Sequence, residues 1–382
     1  MFVKANEGST KNLIHMCVMY FICYVATGFT VKYFMGPADQ GFPGLNGIEY
    51  LVYSTAAAMM VPLLIILIGR WYRFESHRRV NFLGAKMPVE FFYIIPSGLC
   101  TAVVIPTTTL MYTLPISVMV AMVIMRGSVI VISRFVDSIQ IKQGILHKKV
   151  YAEENWAVLF AVVAVAINIF WASGQPGQFD FLQSTAAMAI LGSYIVAYAI
   201  RIYIMNYYKN SAGKGLKRDN YGFFAIEQFA AMGGVALTAY LVFNSPALFG
   251  WEGIAQIEIF RSTILTPKVG WSWAALSGVT FGLVAVYSVF LFMFKGRTAT
   301  FAGLVNRLTS LIAGTAATLL FYYFFGGKFP KTEDWASLAF ILVAIGFMAA
   351  AEKKRVRELE KTHELELEDR LIQKQVISPQ TA

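Results

Sequence analysis

Residues 121–133 read Ala-Met-Val-Ile-Met-Arg-Gly-Ser-Val-Ile-Val-Ile-Ser, and residues 302–314 read Ala-Gly-Leu-Val-Asn-Arg-Leu-Thr-Ser-Leu-Ile-Ala-Gly. Laid one over the other, they align Arg126 with Arg307, each a lone cation inside an apolar run. Downstream, Glu154-Asn155-Trp156-Ala157-Val158-Leu159 resembles Glu333-Asp334-Trp335-Ala336-Ser337-Leu338, and each opens another apolar run. Chance supplies Leu and Val matches easily, but a matched intramembrane Arg with a matched Glu-x-Trp-Ala opening less easily. The chain therefore reads as two related halves, 1–174 and 175–351, followed by a charged tail at 352–382.

Composition says what the halves are made of. Of the 382 residues 57% are hydrophobic and only 14% charged, against about 45–50% and about 25% in soluble domains. That deficit argues against a soluble enzyme and against a disordered chain. Cys17, Cys23 and Cys100 all lie in apolar runs, which excludes a disulfide framework and a cysteine-based zinc site. A spanning helix needs about 20 mostly apolar residues. Ten stretches qualify: 13–34, 48–69, 89–111, 115–136, 156–173, 185–206, 222–243, 272–294, 298–325 and 335–351. The first run has no small-residue cleavage site and is expected to remain as a span. The runs are too long, and alternate too little, for barrel strands.

Charge sets the orientation. With the N-terminus in the cytoplasm, 24 of the 32 Lys and Arg fall in cytoplasmic segments and 5 on the opposite side, while Arg126, Arg201 and Arg307 fall within spans. That bias predicts both termini cytoplasmic and an even number of spans. The net charge of +10 then belongs to a membrane surface, not to nucleic acid. Five spans per half is odd, so the second half enters the membrane with opposite polarity. Inverted repeats of this kind are typical of secondary transporters, whose solute site lies near the midplane between the halves. The expected fold is all-α, ten transmembrane helices in two inverted five-helix repeats.

Ten spans in two five-span halves resemble the drug/metabolite transporter superfamily, and residues 280–351 carry the resemblance best. A span ending Phe294-Lys295-Gly296-Arg297 leads into Thr298-Ala299-Thr300, and a long span centred on Val305-Asn306-Arg307-Leu308-Thr309 follows. Phe325-Gly326-Gly327-Lys328-Phe329 then looks like the family's Gly-Glu-Arg-type turn before the last span. The approach to Arg307 is similar to the ninth span of nucleotide-sugar transporters, although the Thr run and the adjacent Lys of that pattern are missing. Met125-Arg126-Gly127-Ser128-Val129-Ile130 resembles the fourth span of a related eukaryotic branch and of EamA-like bacterial metabolite exporters. The resemblance covers residues 13–351. It implies alternating-access transport of a small organic solute, in a bacterial inner membrane or a eukaryotic endomembrane, and it leaves room for a homodimer.

Arg126 lies about eleven residues into its span and Arg307 about nine, so at ~1.5 Å per residue both are near mid-bilayer. A guanidinium there must face a cavity or a partner. Together, with Asn306 beside Arg307, they form a positive patch suited to a phosphate or carboxylate. The alternative is structural ion pairing, with Glu227 or Glu90 as partner. Glu227 serves either as a proton-coupling carboxylate or as the counter-charge of an arginine. Arg201, near the end of its span, is expected to snorkel to the interface, and Glu49 to mark the outer boundary.

Pro96, Pro106 and Pro115 bracket the third span, with Thr107, Thr108 and Thr109 between the last two. Proline frees backbone carbonyls that Thr hydroxyls can satisfy, so Pro106 to Thr109 form either a gate or an ordinary kink. Gly278 and Gly282 permit close packing of the eighth span. Tyr194, Tyr198 and Tyr287 are candidates for stacking on a solute or for plain lining. Residues 244–270 form an outer loop with a short interfacial helix, and 352–375 continue the last span as a cytoplasmic helix. No enzyme signature, metal-ligand cluster, cofactor motif or phosphate-binding Gly-Lys-Ser/Thr loop is present. The sharper expectation is an anionic solute such as a nucleotide-sugar or phosphorylated metabolite. One rival is an exporter of amino acids or neutral metabolites in which the arginines are structural. The other is a non-transporting receptor or scaffold acting through its tail.

Overall fold

The computed structural model describes residues 10–74, 76, 79–82, 84–145, 151–170, 181–211, 219–292 and 299–377. The expected join between halves at 174 and 175, the basic loops at 146–150 and 212–218, and the Phe294 to Thr298 segment lie outside the described residues.

The long helices follow the apolar runs. They are α1 (Thr10–Phe34), α2 (Gly47–Gly69), α3 (Phe91–Thr113), α4 (Val118–Lys142), α5 (Ala152–Phe170), α6 (Thr185–Asn210) and α7 (Asn220–Phe243). After the short helices α8 (Ser245–Phe249) and α9 (Ala255–Leu265) come α10 (Trp271–Phe292), α11 (Ala299–Phe325) and α12 (Thr332–Ile377). Among the described residues, nine helices are long and apolar enough to cross a bilayer: α1–α4, α6, α7, α10, α11 and the stretch Thr332–Ala351 of α12. This fits a helical, multi-pass membrane protein. The 19-residue α5 runs where the fifth span is expected, and α12 continues without a break into the charged tail.

Polar residues set the starts of the helices. Asn46 caps α2 by accepting from the Ile48 amide at 2.9 Å, and Glu49 reaches back to the Asn46 amide at 2.7 Å, a reciprocal capping box. Ser117, Ser184 and Asp219 cap α4, α6 and α7 in the same sense. Glu49 also pairs with Lys268 at 2.8 Å, which ties the segment before α10 to the start of α2. One end is finished from a distance. Lys32 on α1 donates to the carbonyls of Tyr112, Leu114 and Ile116 at 2.8, 3.2 and 2.7 Å, satisfying acceptors where α3 stops.

The packing has a definite order. α1 lies on α10 and α11, α2 on α10, and α3 on α6 and α7; α4 lies on α5, α6 and α11, and α12 on α5 and α11. α4 is the central helix, with 67% of its apolar stretch buried against 22% for α7. Two glycines allow backbone-to-backbone approach. A Cβ at Gly278 on α10 would lie 2.0 Å from the Ser54 carbonyl oxygen of α2, and one at Gly98 on α3 would lie 2.5 Å from the Glu227 carbonyl oxygen of α7. Small residues are what such contacts require within a membrane.

Two features were not expected from the sequence. Arg79–Phe82 (β1) and Ala85–Pro88 (β2) form an antiparallel hairpin, with Gly84 at φ 82° in its turn. Residues 244–270 hold two short helices, α8 and α9, where one was expected; Tyr53 holds α9 by donating to the Thr263 carbonyl at 3.3 Å.

Candidate functional site

Arg126 and Arg307 are each the ninth residue of their helix, about 12 Å along it, and both are buried. Arg126 donates through Nη2 to the Tyr24 hydroxyl of α1, and its guanidinium carbon lies 5.2 Å from the centre of the same ring. Arg307 donates through Nη2 to Ser133 Oγ of α4. In both side chains Nε is buried with no hydrogen-bond partner among the described residues.

Around the two cations stand two tyrosine pairs. Tyr20 and Tyr24 on α1 meet edge-on at 4.9 Å, and Tyr194 and Tyr198 on α6 lie 5.1 Å apart. Tyr194 and Tyr198 are within electrostatic reach of both guanidiniums, and Tyr20 of Arg126. Asn306, fully buried, accepts from the Tyr20 hydroxyl at 3.2 Å and donates to Ser288 Oγ at 3.2 Å. Its amide is thereby fixed beside Arg307, joining α1, α10 and α11.

Among the described residues the charge is not neutralised by contact: no ion pair involves Arg126 or Arg307. The carboxylate of Asp137, one turn beyond Ser133, acts on Arg307 only through space. A buried guanidinium without a carboxylate is costly, and the ring of Tyr24 offsets part of that cost for Arg126.

Glu227 stands elsewhere. The expectation that it counter-charges an arginine holds for Arg201, not for Arg126 or Arg307. Its Oε1 accepts from Arg201 Nε at 2.8 Å and its Oε2 from Nη2 at 3.1 Å, a two-point contact. Ser97 and Thr101 of α3 donate to the same carboxylate at 2.7 and 3.3 Å. Arg201 therefore does not snorkel to the interface; it is buried, and the pair binds α3, α6 and α7 together. Beside it Gln228 is buried, with both amide atoms unpartnered among the described residues. Glu90, the other carboxylate weighed as a partner for the mid-span arginines, is buried and accepts from Ser76 Oγ at 2.7 Å.

Pro106 lies inside α3, which stays helical through it. The hydroxyls of Thr107, Thr108 and Thr109 donate to the carbonyls of Val103, Val104 and Ile105 at 2.7, 2.6 and 3.4 Å, one turn back along their own helix. Tyr287 lies partly buried on α10. Reading the sequence did not single out Tyr20, Tyr24, Ser133 or Ser288. The signal for the first two was present: Tyr20 and Tyr24 on α1 repeat the i, i+4 spacing of Tyr194 and Tyr198 on α6.

No family model matches the chain, and no curated protein matches it. It is similar over 91% of its length to 99% of a solved chain described as "Crystal structure of protein", with a TM-score of 0.43 and 12% identity. A likeness at that level carries no functional information.

Proposed function

We propose that the chain is a secondary transporter for a small organic anion, built as two inverted five-helix halves with both termini cytoplasmic, and that Arg126 and Arg307 hold the solute's negative charge. The observation that carries this reading is the pair of buried guanidiniums, at matched positions of two similar segments, whose hydrogen bonds among the described residues go to the neutral hydroxyls of Tyr24 and Ser133. An anion entering between them supplies the charge that the protein leaves out, in the planar fork geometry that suits phosphate and carboxylate.

The packing supports the two-halves reading. Counting α1–α5 as one half and α6, α7, α10, α11 and α12 as the other, α1 on α11 corresponds to α6 on α4, and α1 on α10 to α6 on α3. Likewise α2 on α10 corresponds to α7 on α3, and α4 on α5 to α11 on α12; all these contacts are present. The glycine contacts correspond too, since Gly98 and Gly278 lie 180 apart and each abuts a carbonyl of the matching partner helix. Alternating access in inverted repeats rests on exchanging such equivalent contacts between halves.

A second reading draws on the ring of Tyr24 against Arg126. If these contacts suffice to keep both arginines as structural cations, the solute is a neutral metabolite or amino acid. Thermal-shift screening of the purified protein against nucleotides, nucleotide-sugars, sugar phosphates and amino acids separates the two, because a ligand stabilises according to its concentration over its dissociation constant. The proposal expects stabilisation by phosphorylated or carboxylate-rich compounds that Arg126→Gln and Arg307→Gln abolish. Stabilisation by neutral compounds alone, unchanged in both variants, supports the second reading. Single-cysteine labelling tests the architecture: positions 80, 145 and 215 should label from one side of the membrane, and 178, 255 and 331 from the other. Labelling of 145 and 255 from the same side contradicts the inverted arrangement.

A further inference from the structure

At the end of the bundle that holds Phe34 and Phe325, α1 meets α11 ring against ring. Phe29 packs on Phe321 and Phe325 with centres 5.9 and 5.5 Å apart, and Tyr33 on Phe325 at 5.5 Å. Phe42, from the connection between α1 and α2, is set onto Phe321, Phe325 and Tyr33 at 5.9, 5.4 and 5.7 Å. The loop carrying it is anchored by the buried Leu45, whose amide donates to the Phe34 carbonyl at 2.9 Å.

The correspondence between halves says where the matching contact lies. Phe29 and Tyr33 correspond to Tyr203 and Tyr207, as Tyr24 does to Tyr198. Phe321 and Phe325 correspond to Gln140 and Gly144, as Arg307 does to Arg126. So the equivalent of the ring cluster is the contact of α6 with the end of α4, and its chemistry differs. Gln140 Nε2 donates to the Tyr203 carbonyl at 2.9 Å, and the Tyr203 hydroxyl donates to Gln143 Oε1 at 2.8 Å. Gln140 is fully buried, and its Oε1 has no hydrogen-bond partner among the described residues.

The two contacts respond oppositely to water. Parting the rings exposes apolar surface and forfeits ring-on-ring attraction. Parting α4 from α6 exchanges two amide bonds for bonds to water, and it lets water reach an acceptor that the closed form leaves unsatisfied. We propose that these are the two gates of the carrier and that they are unequal. The α1–α11 gate is an aromatic closure latched by Phe42, the α4–α6 gate is a polar closure, and the empty protein opens at the α4–α6 end in preference. This inference rests on the transporter reading above. It goes beyond that reading by naming the gates and ranking them, and an equilibrium between two forms is biased by whatever stabilises one of them more.

Pulsed electron paramagnetic resonance on the full chain in lipid nanodiscs tests it, with Cys17, Cys23 and Cys100 replaced by alanine. One spin-label pair sits at the exposed Ala38 and Lys328, the other at the exposed Lys142 and Asn210. Without solute, the 142/210 pair should show a second, longer distance population several-fold larger than any at 38/328. Phe42→Ala should raise the longer 38/328 population several-fold. Gln140→Leu, which removes the unsatisfied acceptor, should shrink the longer 142/210 population. Equal populations at the two ends, the reverse order, or no response to Phe42→Ala overturns the ranking. If the ends alternate with the order reversed, only the ranking falls. If neither end lengthens with any solute, or both lengthen together, the transporter reading falls and the ranking with it.

Discussion

Glu227→Ala should destabilise the folded bundle by about 3–5 kcal/mol, the range for stripping the partner from a buried charge. The side chain has 0% exposure and Arg201 has 7%, so neither can fall back on bulk water. The mutation removes the acceptor of two guanidinium bonds at 2.8 and 3.1 Å and strands the Ser97 hydroxyl, while Thr101 keeps its 3.0 Å bond to the Ser97 carbonyl. Glu227→Gln should cost less, about 1.5–3 kcal/mol, because one oxygen remains to accept while the charge is lost. Replacing both partners, Arg201→Met with Glu227→Leu, should return stability to within about 1–2 kcal/mol of wild type, since an apolar pair of similar volume carries no stranded charge. The assay is equilibrium unfolding in mixed micelles, followed by the fluorescence of the seven tryptophans. A double variant no more stable than Glu227→Ala, with coupling under about 0.5 kcal/mol, would refute the claim that this pair ties α3, α6 and α7 together.

Gly278→Ala should lower the melting temperature and the yield of monodisperse protein, with a cost of about 1–3 kcal/mol, because a Cβ there would meet the Ser54 carbonyl oxygen at 2.0 Å. Gly346→Ala, with nothing within 4 Å of its added carbon, should be tolerated. Lys32→Met should cost about 1–3 kcal/mol in the same unfolding assay by releasing the three carbonyls at the end of α3. If Pro106 and its threonines form a gate, Pro106→Ala should change transport rate more than solute affinity, whereas equal loss of folded protein and transport marks a plain kink.

The positions of the long helices were legible because the apolar runs have the length a bilayer demands; their caps, Asn46, Ser117, Ser184 and Asp219, emerged only from the structure. The partner of Glu227 was not legible. A span ending at 206 puts Arg201 near the interface, but α6 runs on to Asn210, which sets Arg201 roughly 13 Å from its end. Glu227 lies roughly 10 Å into the antiparallel α7, so the two meet at one depth. Pairing of that kind depends on where two helices stop and how each is rotated, and hydropathy reports neither. The hairpin at 79–88 was hidden for another reason. Each strand has four residues, too few for alternation to stand out among basic loop residues. Arg126 and Arg307 were found because a lone cation in an apolar run is conspicuous. Tyr20 and Tyr24 were passed over because aromatic residues in such a run are ordinary, and only the repeat of their spacing in α6 sets them apart.

The central claim is that Arg126 and Arg307 together bind the negative charge of a solute. The most direct measurement is the equilibrium affinity of the best-stabilising anionic solute for wild type, Arg307→Lys, Arg307→Gln and Arg126→Gln, each shown to be folded by its melting temperature. Arg307→Lys keeps the charge but loses the planar fork, so it should weaken binding by about 1–3 kcal/mol, roughly 5- to 150-fold. Either glutamine variant should weaken binding further while leaving the fold intact, since Arg126 and Arg307 make no ion pair among the described residues. Affinity unchanged in all three variants, or lost only in step with folded protein, would contradict the claim and leave the arginines as structural cations.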